Sequence, residues 1–505
     1  MNPAVARQFD ALCQRLAASP QRLELLDEAA ALAVQQGDQA RAATLYLDYI
    51  AHHQRHAGAQ FNCGYYCRAA GLYPQAIAHY QRALELGISQ PEEVYTNIGV
   101  IYNEGLLQND NAIAAFQEAL RIAPGYVPAL YNLANCYEQN GDKKQAAHYF
   151  SRVIHYAPNF AMAYVRLADV HRAETSADPL IAKLQQLVTT QRVPLNERID
   201  AAYALGKLCN DCGAYAEAWQ YYQQANQWNA TTMPAWDETR QRALLQSLQV
   251  EFNQPLPRAT VDADAAQQPV FVCGMFRSGS TLLEQMLGGH SAISSGGELE
   301  FFPRLWQRIQ AQGDGGLRDY LAQQRDQDFV SLGRDYLAFV RERLGDVRYF
   351  TDKRPDSIWL LGLIKRALPQ AKFIVTRRHP LDNALSVYFT RLGSSMAYAN
   401  RFEDILCYIE LENDLLRHWQ QVLGDDLQVV NYDQLVAAPQ QQLEPVLAEL
   451  GLDWQESCLD FHRRNNSVRT ASVWQVRQPL YQSSSGRWRN YADFLPELPE
   501  LPKQP

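Results

Sequence analysis

At 505 residues the chain is longer than a single domain needs, and its 47% hydrophobic and 20% charged residues are those of a globular protein with sizeable cores. Its 46 basic and 55 acidic residues give a formal charge of -9, which argues against a general nucleic-acid binder but leaves room for a local basic cleft. The start, Met1-Asn-Pro-Ala-Val-Ala-Arg-Gln-Phe-Asp10, lacks the basic and apolar parts of a secretory leader, and no run of about 18 apolar residues occurs. The expectation is a cytoplasmic protein with neither membrane nor nucleic acid as partner. Nine scattered cysteines fit reduced thiols. Cys209-Asn-Asp-Cys212 is the one C-x-x-C and lacks a second ligand pair, so it reads as packing, and no metal is expected.

In chain order, the first half repeats itself with a period of about 34 residues. The clearest unit, 127–160, carries Leu130, Leu133, Ala134 and Tyr137, then Gly141, Ala146, Phe150 and Pro158. Unit 92–126 gives Gly99, Tyr102, Ala112, Phe116, Ala119 and Pro124, with one extra residue in its turn. Unit 57–90 gives Gly64, Ala76, Tyr80 and Ala83; unit 23–56 gives Ala30, Ala42 and Tyr46. The order of small residue, aromatic, glycine turn, alanine, aromatic and proline resembles tetratricopeptide repeats. After Pro158 the next unit loses its second helix signature around Ser176-Ala-Asp-Pro179, and 199–232 recovers it with Gly206, Gly213, Ala218, Tyr222 and Ala225. That makes about five to six helix pairs, each needing neighbours to cover its apolar face. Such arrays usually take extended peptides or other proteins.

Residues 235–253 read as a capping helix. Residues 254–268 lose periodicity and gain Pro, Asp and Gln, which marks a linker between an array at 1–253 and a second domain at 269–505.

The second domain opens with a short apolar run from Pro269 to Gly274 and continues into a helical pattern through Leu282, Leu283, Met286 and Leu287. Between them lies Gly274-Met-Phe-Arg277-Ser278-Gly279-Ser280-Thr281. This keeps the glycines and final Thr of the phosphate loop G-x-x-x-x-G-K-[ST] but has Ser280 in place of Lys. Glycines allow the tight turn that points N–H groups and a helix N-terminus at one anion, and Arg277 adds a forked donor. A triphosphatase needs that Lys and an acidic magnesium ligand at a later strand end. The later apolar run, Lys372 to Thr376, ends instead in Arg377 and Arg378. A phosphotransferase is disfavoured, and a nucleotide gripped by donors without a metal is expected.

Apolar runs at 348–353, 372–376 and 427–432 alternate with helical stretches near 355–368, 380–391, 403–422 and 440–451. That alternation predicts a parallel sheet covered on both faces, with ligands at the carboxyl ends of its strands. Charge adds a family-free signal. From Arg463 to Asn490 there are six arginines, at 463, 464, 469, 477, 487 and 489, and no acidic residue, so this segment calls for an anionic partner or solvent.

Taken in order, Arg277-Ser-Gly-Ser-Thr281, Gly297-Glu298 and Arg378-His-Pro-Leu-Asp-Asn-Ala-Leu-Ser386 resemble the sulfotransferases that use 3′-phosphoadenosine 5′-phosphosulfate (PAPS). The nearest branch is the tyrosylprotein sulfotransferases and their bacterial relatives with tetratricopeptide repeats. The resemblance implies an α-solenoid followed by a phosphate-loop-like α/β domain with a parallel sheet. It implies that Arg277, Ser278, Gly279, Ser280 and Thr281 bind the 5′-phosphosulfate and that Arg378 and Ser386, eight residues apart, hold the 3′-phosphate. Arg377 competes by chemistry but is one residue off. Tyr432, in Asn-Tyr-Asp-Gln-Leu435, resembles the family's nucleotide-side tyrosine, and Gly486-Arg487-Trp488 its basic-Trp pair, with Arg where the family usually has Lys.

By the same resemblance Glu298 is the general base, with Glu300 as fallback. Lys353 and Ser472 contact the departing oxygen and, with Arg277, complete the catalytic set. The acceptor implied is a hydroxyl, first a tyrosine in a protein or peptide that the array presents. A glycan or small phenol as acceptor, and a catalytically inactive scaffold, stay open as alternatives.

Overall fold

Small residues under aromatic rings set the helical hairpins of the first half. A Cβ placed on Gly99 would stand 2.5 Å from the Phe116 ring, and one on Gly64 would stand 2.8 Å from Tyr80. Both rings are fully buried, so each hairpin closes only because those positions carry no side chain. The computed structural model describes residues 3–19, 21–256, 267–313, 315–463, 476–482 and 484–495. Packing divides the chain into two compact units, Met1–His171 and Arg172–Pro505.

In the first unit, helix Pro3–Ala18 precedes the hairpins Leu23–Gln35/Gln39–His52, Ala57–Ala69/Tyr73–Glu85, Pro91–Val100/Asn109–Ile122 and Val127–Gln139/Lys143–Tyr156, and Ala161–Val170 follows. Asp38 and Asp142 cap second helices by accepting from the Arg41 and Gln145 amides at 2.9 and 3.0 Å. Proline stands in the first turn of Tyr73–Glu85, Pro91–Val100 and Val127–Gln139, where its missing N–H costs nothing. The extra residue of unit 92–126 is absorbed at a helix end, in a π-helical turn at Ile101–Gly105 where the Leu106 amide reaches back to the Ile101 carbonyl at 3.0 Å.

The second unit opens with more helices. Helix Pro179–Thr189 follows the break in the repeat signature, with Asp178 accepting from the Leu180 amide at 2.9 Å. The pair Leu195–Asp211/Tyr215–Ala230 repeats the glycine device, a Cβ at Gly206 standing 2.7 Å from Tyr222, and Glu238–Glu251 is the expected last helix. This pair is grouped with the sheet because it packs on the sheet's own helices. Tyr222 stacks on Phe389 at 3.9 Å, and the Asn226 amide donates to the Tyr388 carbonyl at 2.8 Å. Arg391 pairs with Asp200 at 2.9 Å. Compact packing therefore begins the unit earlier in the chain than the change in sequence character at 254–268.

Among the described residues, five strands form one parallel sheet in the order β2-β3-β1-β4-β5. They are β1 (Gln268–Gly274), β2 (Ile293–Ser295), β3 (Tyr349–Lys353), β4 (Lys372–Arg377) and β5 (Leu427–Asn431). Val270, Phe271, Val272 and Cys273 of the central β1 are all fully buried, as a strand covered on both faces requires. Sequence patterning left unassigned the helices Phe301–Gln310, Gly316–Gln323 and Asp326–Leu344 between β2 and β3. Among the described residues no helix is long and apolar enough to cross a membrane.

Candidate functional site

Each of the five strands delivers one expected residue at its carboxyl end. Arg277 follows β1, Glu298 follows β2, Lys353 ends β3, Arg378 follows β4 and Tyr432 follows β5. In a parallel sheet these ends share one edge, and β1 lies between β3 and β4, so its loop sits at the centre.

That loop is held in a conformation few residues adopt. Gly274 has φ +128°, and a Cβ on it would lie 2.5 Å from the Thr376 carbonyl; Gly279 has φ +102°, and a Cβ there would lie 2.4 Å from the Tyr432 ring. Arg277 itself sits at φ +67°, a strained position for a residue with a side chain. The Ser278 hydroxyl is buried against the Thr376 hydroxyl at 2.6 Å, so it shapes the loop and does not line the cavity. Asn383 ties the loop down by donating to the Phe276 carbonyl at 2.6 Å. Helix Ser280–Leu287 starts directly behind Gly279, and Ser280 is buried.

A cavity borders this loop, and Arg277, Gly279, Thr281, Arg378, Ser386, Tyr432 and Arg487 all line it. Arg277 donates through Nε to the Ser386 hydroxyl at 3.1 Å. The anchors expected for opposite ends of one nucleotide thus adjoin. Arg378 donates to the Ser484 carbonyl at 2.6 Å and lies 4.8 Å over the Tyr432 ring. Arg377 is buried, sits below the usual arginine value through that burial, and does not line the cavity; neighbouring strand residues face opposite ways.

Electrostatically the cavity is one-sided. Burial, then Arg378 and Arg487, lower Arg277 from its ordinary value to about 10, while Tyr481 and Tyr432 oppose the shift. Three guanidinium groups line the cavity and, among the described residues, no carboxylate does. Such a concentration of like charge is stabilised by an anion.

Glu298 and Lys353 meet at the same carboxyl edge of the sheet but do not line the cavity. They form an ion pair in which Lys353 is fully buried and the Glu298 side chain is 40% exposed. The Lys353 amide also donates to the Gly297 carbonyl at 2.8 Å, tying the Gly297-Glu298 turn to β3. Glu284 supports that turn from below, accepting from the Gly297 amide at 2.9 Å and the Thr351 hydroxyl at 3.0 Å, and burial pushes its carboxyl up. Burial likewise raises Asp352 to about 7, with the Tyr336 hydroxyl donating to it at 3.0 Å. Glu300 is instead paired with Arg304 on the surface at 2.5 Å.

The arginine-rich segment contributes one wall. Arg487, Tyr481 and Ser484 line the cavity, together with Phe461, Val476 and Leu480. The Trp488 ring stacks on His379 at 5.5 Å and is not among the lining residues. Two aspartates that sequence reading missed hold this wall. Asp382 accepts from the Gly486 and Trp488 amides at 2.6 and 2.8 Å. Asp433 accepts from the His379 amide at 3.0 Å and the Ser485 hydroxyl at 2.5 Å. Their signal was an acidic residue on each of two helices that begin at strand ends. Ser472, Arg464 and Arg469 lie outside the described residues.

Residues 269–456 match the sulfotransferase family, and residues 28–91 and 108–171 match tetratricopeptide repeats. An uncharacterized protein of Aquifex aeolicus is 25% identical over 423 residues, 81% of this chain and 55% of that protein. Protein-tyrosine sulfotransferase 2 of Gallus gallus is 27% identical over 258 residues, 46% of this chain and 66% of that protein. The aligned regions therefore cover between about half and two thirds of these relatives' lengths. Among solved structures, the sulfotransferase domain of the olefin synthase from Synechococcus aligns at 22% identity over 48% of this chain and 94% of that one, with a TM-score of 0.35. The parallel-sheet part of this chain is thus similar to the sulfotransferase family over residues 269–456, and matches to tetratricopeptide repeats precede it.

Proposed function

We propose that the domain from residue 269 onward moves the sulfuryl group of PAPS onto an acceptor hydroxyl, with a tyrosine of a protein or peptide as acceptor and the array of residues 1–253 as the surface that holds the polypeptide. The observation that carries this reading is the convergence of Arg277, Arg378 and Arg487 on one cavity at the carboxyl edge of the sheet. The residues fit the donor. A strongly anionic nucleotide matches three guanidinium groups, and the Tyr432, Phe461, Val476 and Leu480 side chains offer apolar surface for a base.

When bound, PAPS supplies the sulfuryl group and carries away the departing phosphate oxygen. Arg277 and the 278–281 loop grip the 5′ end, Ser278 acting through loop shape. Arg378 and Ser386 hold the 3′-phosphate, with Arg487 beside them and Trp488 fixing that wall. Glu298 takes the acceptor's proton, and Lys353 holds its carboxylate in place through their ion pair. Lys353 and Ser472 serve the departing oxygen, where negative charge grows.

Calorimetry on the full chain tests the first half of this reading. 3′,5′-Adenosine bisphosphate should bind without divalent metal; absence of binding, or a requirement for Mg²⁺, rejects it. Glu298→Gln should keep nucleotide affinity and cut transfer by roughly 10²-fold or more; unchanged turnover removes Glu298 as base. Labelled-sulfate transfer to acidic tyrosine peptides, compared with glycans and small phenols, decides the acceptor, and no transfer to any of them would favour a scaffold.

A further inference from the structure

In the second hairpin of the array three soft donors come together. Cys63 and Cys67 stand one turn apart on Ala57–Ala69, and His79 comes from the facing helix Tyr73–Glu85. The two sulfurs and a ring nitrogen of His79 all lie within 4.8 Å of one another. Donors of a tetrahedral zinc ion lie about 3.5–3.8 Å apart, so closing this set takes side-chain movements of about 1 Å. Both thiols are fully buried and His79 is half-buried, which leaves the histidine side as the path from solvent.

The neighbours of these groups are arranged as ligation requires. Gln60, 3% exposed, donates through Nε2 to the Gln54 carbonyl at 3.0 Å, which turns its Oε1 toward His79 Nδ1 at 2.8 Å. An amide oxygen there only accepts, so Nδ1 carries the proton and Nε2 keeps the lone pair. This hydrogen bond fixes tautomer and ring orientation as outer-shell partners of metal-bound histidines do.

We propose that Cys63, Cys67 and His79 bind one Zn²⁺ ion that ties the two helices of this hairpin, with water in the fourth position on the His79 side. Two thiolates and one neutral imidazole make a site of charge -2, which a divalent cation neutralises inside the protein. Binding releases the two thiol protons. Because the donor set exists only in the folded hairpin, the ion stabilises the array.

The test uses the full chain, reduced, stripped with a chelator and titrated with Zn²⁺ against a chromophoric competitor. One equivalent per chain should bind, and Co²⁺ in its place should show thiolate charge-transfer absorption. The Cys63→Ala/Cys67→Ala double variant, checked for folding by circular dichroism, should lose that equivalent. Gln60→Ala leaves all three ligands in place and should weaken Zn²⁺ binding by about 10-fold or more through the loosened imidazole. Equal zinc content in the double variant, Cu⁺ bound with no uptake of Zn²⁺, or a Cys63–Cys67 disulfide in the freshly purified protein would each overturn the assignment.

Discussion

Gly99 and Gly279 play the same steric part in two unlike places. Each lies beneath an aromatic ring, where a Cβ would come within 2.5 Å of Phe116 and 2.4 Å of Tyr432 respectively. In the hairpin the glycine is helical, and the closeness serves packing alone. In the loop the glycine sits at φ +102° and borders the arginine-lined cavity. What surrounds them differs more. Between Pro91 and Ile122 the hairpin of Gly99 buries no charged residue, whereas the sheet edge buries Glu284, Asp352, Lys353, Arg377 and Arg378. Buried charge is costly unless something answers it, so its concentration at one edge separates a site from a scaffold even where backbone devices look alike.

The sharpest way to test that contrast is Arg277→Gly. Arg277 carries both a positive φ and a half-buried guanidinium lowered to about 10. Removing it should weaken 3′,5′-adenosine bisphosphate binding at least about 100-fold, roughly 3 kcal/mol. The same change relieves strain of about 1 kcal/mol, so the melting temperature should hold or rise. A loss of stability together with affinity would make Arg277 a packing residue and erase the contrast. The expected result follows the usual opposition between a strained site and a stable fold.

Gly99→Ala is the counterpart in the array. The added methyl meets a ring that is fully buried and has nowhere to move, so destabilisation of about 1–3 kcal/mol is expected in thermal or denaturant unfolding. Nucleotide affinity should be unchanged, because the residues lining the cavity all belong to the other compact unit. A drop in affinity would show coupling that neither unit's own contacts require.

The two regions also differed in how far sequence alone described them. In the hairpins, Gly99 with Phe116 and Gly64 with Tyr80 are near neighbours along the chain, so period and residue size sufficed. The strand ends were legible too, since β1, β4 and β5 are apolar runs closed by Gly274, Arg377 and Asn431. What stayed hidden depends on distant pairing. Asp382 receives amides from Gly486 and Trp488, more than a hundred residues on, and Glu284 reaches from its helix to hold the Gly297 turn, thirteen residues on. Cys63 and Cys67 lack a C-x-x-C spacing, and nothing in the sequence singles out His79 from the nearer His56; only the helix register and the hairpin bring His79 to them.

Asp352 gives the smallest expected effect at neutral pH and the most specific one. Burial raises its carboxyl to about 7; Tyr336, Arg354 and the Leu299 amide pull the other way, and Glu284 pushes it further up. An unfolded aspartate titrates near about 3.9. Between about pH 4 and about pH 7 the native protein therefore keeps a proton that the unfolded chain has released, so this group makes stability fall as pH rises through that window. Glu284, also raised by burial, acts with the same sign, and the comparison with a variant isolates Asp352. In Asp352→Asn the thermal midpoint should decline less between pH 4 and pH 7 than in the parent chain, with the Tyr336 hydroxyl still offered an acceptor by the amide oxygen. Parallel profiles would mean that Asp352 ionises as an ordinary surface carboxylate does. The charge buried beside Lys353 would then be paired internally, and the sheet edge would differ from the hairpins only in the guanidinium groups of its cavity.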